Sequence, residues 1–130
     1  VKGKENLSSG YKYYEVDTGL RNYLLGKKAG QDMGHLLENV VFLELLRRGY
    51  KVYVGKLDDM EIDFVAENHE GLVYYQVALT TRDEATLERE LKPLQKTGDH
   101  YPKVILTMDN DLDADYDGIK KINLINWLLK

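Results

Sequence analysis

Two carboxylates and one amide in this chain have the types and spacing to hold a hard divalent cation. In the run DMGHLLENVVFLELLRR, Glu38 lies at helical angles close to Phe42, Val41 and Leu45. Glu44, Arg47 and Arg48 fall on roughly the opposite side. Glu38 is therefore expected to point inward, where a carboxylate needs a partner, a metal or a proton. Asp63 poses the same problem in EIDFVAE. Alternation there puts Ile62, Phe64 and Ala66 on one face and Glu61, Asp63 and Val65 on the other. In LVYYQVALT, Val73, Tyr75, Val77 and Leu79 share a face, and Tyr74, Gln76, Ala78 and Thr80 share the other. A helix acid, a strand acid and an acceptor one strand later can converge on a cation through their oxygens. Each also has a simpler reading. Glu38 could be met by a basic side chain or backbone groups, Asp63 could be a strand-end carboxylate, and Gln76 could be a hydrogen-bonded strand amide.

Other candidates are weaker. His35 and Glu38 are three apart on one helix, a spacing metals can use, but His69 and His100 fall in loops. His35 reads as a surface or helix-start residue. The segment Asp113 to Gly118 matches the front half of a calcium-binding EF-hand loop. Leu124 stands where the loop needs a bidentate Glu, so a solvated acidic turn is the preferred reading. The helix run LEREL reads as a charged, solvated face. The tyrosines of YKYY, YKVY and VYY sit at strand spacing, which favours sheet packing over base stacking. No G-x-x-x-x-G-K-[ST] is present, so this chain holds no P-loop for ATP.

These residues must be positioned by a small set of elements. YKYYEVDTGLRNYLLG reads as a strand and a short helix, with Asp17 or Thr18 as cap and Gly26 as stop. A long helix over 32–48 ends at Gly49, and its apolar residues cover most of its circumference, as in a helix buried on several sides. YKVYVGKL, EIDFVAE and GLVYYQVALTT read as a three-strand meander. DEATLERELKPLQKTGD is a helix capped by Thr81 or Asp83, with a kink or early end at Pro93. KVILTMD is a buried strand, the Asp-rich run a loop, GIKKINL a strand, and INWLLK a final helix with Asn126 as cap. A meander followed by a helical crossover implies an α/β chain with a mixed sheet and helices on its faces.

Composition narrows the classes. The length of 130 residues fits one domain, here 13–130, behind a polar and partly ordered leader over 1–12. Cysteine is absent, so there is no disulfide framework and no cysteine zinc site, and a reducing, cytoplasmic setting is the default. No run approaches the roughly 18 apolar residues of a membrane span. The net charge of −4 traces to Asp109, Asp111, Asp113, Asp115 and Asp117, without which the remainder sums to +1. No basic stripe for phosphate binding is visible. The first residue is Val1 and not Met, which points to a piece of a longer protein.

The runs GHLLENVVFLELLRRGYKV, EIDFVA and YYQVALT, in that order, resemble the PD-(D/E)XK nuclease-like superfamily. More narrowly, the chain resembles the C-terminal domain (domain of unknown function 4143) of prokaryotic AAA+-type P-loop ATPases. YYEVDTGLRNYLL, TLERELKPLQKTGDHYPKVILTMD and GIKKINLINWLL fit that family too, so the likeness runs from about Tyr13 onward. The resemblance implies a restriction-endonuclease-like α-β-β-β-α-β core, and an N-terminal ATPase module upstream that would bind ATP. It also implies a site of a helix Glu, a strand Asp and E-x-K. These match Glu38, Asp63 and the run Gln76, Val77, Ala78. Gln76 could still offer a carbonyl oxygen to Mg²⁺ or Mn²⁺, but Ala78 cannot replace a lysine that positions water and neutralises developing charge. Arg82, Arg89, Lys92 or Lys96 could supply that cation from the next helix. The expectation is an accessory domain that has lost cleavage and binds a partner protein or nucleic acid, or regulates its ATPase. The alternatives are a Mg²⁺- or Mn²⁺-dependent nuclease using Glu38, Asp63 and Gln76 with a relocated basic residue, and a structural role in an oligomer.

Overall fold

Among the described residues, β-branched and aromatic runs build one eight-stranded sheet. The computed structural model describes residues 3–5, 10–17 and 33–130. Its strands are β1 (Gly3–Glu5), β2 (Lys12–Glu15), β3 (Lys51–Leu57), β4 (Met60–Asn68), β5 (Gly71–Val77), β6 (Lys103–Thr107), β7 (Ala114–Tyr116) and β8 (Ile119–Asn123). The helices among the described residues are α1 (Met33–Arg47), α2 (Glu84–Gln95) and α3 (Leu124–Leu128). Strands β1 to β5 pair antiparallel, β5–β6 and β6–β8 pair parallel, and β7 returns antiparallel to β8. The α/β class, the mixed sheet and the flanking helices agree with the sequence reading.

The sheet separates two apolar layers. On one face, Leu37, Val41, Phe42 and Leu45 of α1 and Leu124 and Trp127 of α3 meet Phe64, Ala66, Tyr75, Val77 and Leu106. On the other, Leu91 and Leu94 of α2 meet Tyr13, Tyr53, Ile62, Val65, Tyr74, Ile105 and Ile119. Most tyrosines of the strand runs thus pack in the core, as their spacing predicts. Burial at roughly 25 cal/mol per Å² of apolar area drives both layers.

Local chemistry sets the boundaries. Gly49, at φ +89°, turns the chain out of α1 in the left-handed region that favours glycine. Asp83 caps α2, its Oδ2 accepting from the Thr86 N–H at 3.1 Å. Pro93 does not end α2, which runs two residues further. Asn123, and not Asn126, caps α3: its Oδ1 accepts the Asn126 N–H at 3.0 Å. The Asp-rich run is not all loop, because Ala114–Tyr116 forms β7. The leader also contributes, since Gly3–Glu5 pairs with β2 and Tyr11 is fully buried. The helix expected to close at Gly26 lies outside the described residues.

Candidate functional site

The site begins with a β-bulge. Strands β3 and β4 pair Tyr53 with Val65 and Gly55 with Ile62. Asp63 and Phe64 therefore oppose Val54 alone. Gly55 faces the irregularity, and a Cβ there would lie 3.4 Å from both Ile62 Cβ and Val65 Cγ2. The extra residue breaks the alternation read from the sequence. Ile62 and Val65 pack together on the α2 side, while Phe64 and Ala66 pack on the α1 side. A strict period of two cannot survive two residues opposing one.

The bulge also ends the regular β4–β5 ladder at Phe64↔Tyr75. Side chains continue it. The Asp63 N–H donates to Gln76 Oε1 at 2.8 Å, and the Val77 N–H donates to Asp63 Oδ2 at 2.9 Å. At its other end, Gln76 Nε2 donates to the Glu90 carbonyl of α2 at 3.1 Å. Gln76 is 2% exposed, and it ties β4, β5 and α2 together through backbone partners. These contacts engage one carboxylate oxygen of Asp63 and the single side-chain oxygen of Gln76 with backbone N–H groups.

Electrostatics joins three elements here. Burial pushes the Asp63 carboxyl well above the usual range, and the charges of Glu38, Glu90 and Glu61 push the same way, opposed by the Val77 N–H. Burial also raises Glu90; Arg89 opposes this and Glu38 adds to it. The sequence reading brought Glu38 and Asp63 together, and both lie within reach of one another's charge. It placed Glu90 on a solvated face, whereas this residue is half-buried. A signal was present: Glu90 falls inside the stripe of Leu87, Leu91 and Leu94.

Asp63 and Gln76 open onto a cleft of about 450 Å³. Asp59, Glu61 and Glu90 also line it, as do two of the four candidate cations, Arg89 and Lys92. Arg82 instead engages Asp111, with Nε to Oδ2 at 3.2 Å, and Lys96 is the C-cap of α2. Glu38 does not line the cleft; it acts on Asp63 from α1. Ala78 sits just past β5, its N–H donating to the Leu106 carbonyl at 3.0 Å.

Among the described residues, His, Cys, Asp and Glu form no group of three or more placed to hold a metal ion. His35 sits in the first turn of α1, His69 is exposed in the β4–β5 turn, and His100 is exposed in the loop between α2 and β6. Asp109 is buried, with Oδ2 accepting the Thr81 N–H at 3.0 Å, and Asp115 Oδ1 accepts the Gly118 N–H at 2.7 Å in the β7–β8 turn. No helix among the described residues is long and apolar enough to cross a membrane.

Comparison with known proteins finds similarity to parts of longer ones. No protein-family model matches it, and no solved structure does. An uncharacterized protein of Methanocaldococcus jannaschii is 36% identical over 92 residues, which are 65% of this chain and 19% of that protein. An uncharacterized protein of Haemophilus influenzae is 42% identical over all 130 residues of this chain. The chain spans about a third of that relative's length, 32%.

Proposed function

We propose that this chain is a non-catalytic, nuclease-like accessory domain of a larger AAA+-type ATPase. Its fold is the restriction-endonuclease-like core, and it binds a partner protein or nucleic acid or regulates the ATPase module. The observation that carries the reading is the use of Gln76. Where the resembling superfamily has a carboxylate for metal, this residue is a buried brace with both ends on backbone groups. Ala78 supplies no cation, and Asp63 is biased toward its protonated form by burial. The alignment of the whole chain with 32% of a longer protein supports an accessory role.

A second reading rests on Arg89 and Lys92, which line the same cleft as Asp63 and Gln76. In it, one of them replaces the absent lysine of a Mg²⁺- or Mn²⁺-dependent nuclease. The test is incubation with single- and double-stranded DNA and RNA in Mg²⁺ or Mn²⁺, beside a Glu38→Gln/Asp63→Asn variant. The accessory reading expects no metal-dependent cutting by either protein. Cutting by the native chain that the double variant lacks overturns it. Loss of that cutting in Lys92→Ala or Arg89→Ala would then identify the relocated cation.

A further inference from the structure

We draw no further inference here: the strongest candidate, the solvent-facing apolar stripe of Met33, Leu36 and Leu43 along α1, is an unpartnered helix face, and nothing in the structure shows what covers it.

Discussion

Replacing Gln76 with alanine separates a structural brace from a spare metal ligand. The variant leaves the Asp63 N–H and the Glu90 carbonyl without their side-chain partner. An unsatisfied buried group costs about 1–3 kcal/mol, and one lost buried methylene adds about 0.8 kcal/mol. Freeing the side chain returns roughly 1.5–2 kcal/mol of rotamer entropy. The balance is a loss of about 3 kcal/mol, which for a domain of this size lowers Tm by roughly 10 °C. Circular dichroism melts measure it directly. A Tm within about 1 °C of the native chain would refute the brace, since such a shift is well under 1 kcal/mol. The Gln76→Glu variant sharpens the test. It keeps an acceptor for the Asp63 N–H but loses the donor to Glu90, and it adds a charge beside Asp63, Glu61 and Glu90. At neutral pH it should melt at least as low as the alanine variant. At about pH 5 it should recover in part, because a protonated carboxyl can again donate. A large Tm rise with Mn²⁺ in this variant alone would show that one restored carboxylate completes a cation site.

Three further perturbations follow from named contacts. Asp63 and Glu90 both hold protons more tightly folded than unfolded, so their contribution to stability falls as pH rises above about 4, the unfolded carboxylate value. Asp109 and Glu44 are shifted downward, so their contribution is lost only as pH falls below about 4. Denaturation midpoints should therefore rise on going from neutral to about pH 5, and Asp63→Asn should flatten that slope. A midpoint that falls over this interval, equally in both proteins, would contradict the assignment. Arg48 donates to the Trp127 carbonyl at 2.7 Å, and its guanidinium carbon lies 4.3 Å from the indole centroid. Arg48→Ala should cost about 1–3 kcal/mol and red-shift the emission of Trp127, the single tryptophan. Unchanged emission and Tm would show that α3 docks without this contact. Gly71 has φ +130°, and a Cβ there would lie 2.9 Å from the Tyr101 ring. Gly71→Ala should cost about 1–3 kcal/mol, and most of that loss should persist when Tyr101→Ala is added, because backbone strain and not the clash with the part-exposed ring dominates. Full rescue by the second substitution would reverse that order.

Much of the fold was legible because periodicity and punctuation are local. The apolar crowding of 36–46 and the stop at Gly49 marked α1. The meander followed from three β-rich runs broken by Asp58–Asp59 and by the turn before Gly71. The strand through Ile105 and Leu106 was equally readable, and the cap of α2 was narrowed to Thr81 or Asp83, of which the structure uses Asp83. Two details escaped for local reasons. Asn123 rather than Asn126 caps α3 because β8 ends at Asn123, one residue short of the strand read through Leu124, so the helix starts at Leu124; β7 is too short and acidic to announce itself.

The site divides along the same line. By itself the sequence determined that Glu38 is a carboxylate on the inward side of a helix, that Asp63 lies in a strand, and that no lysine stands at Ala78. Only the tertiary structure decided what surrounds them. The bulge at Asp63 and Phe64 depends on pairing with β3, which no alternation within β4 records. The brace role of Gln76 depends on α2 crossing the sheet so that the Glu90 carbonyl meets its amide. The same crossing brings Glu90, Arg89 and Lys92 to the cleft and leaves Arg82 with Asp111. Residue type and spacing set which groups can titrate or donate; the packing of distant elements sets which of them share one low-dielectric space.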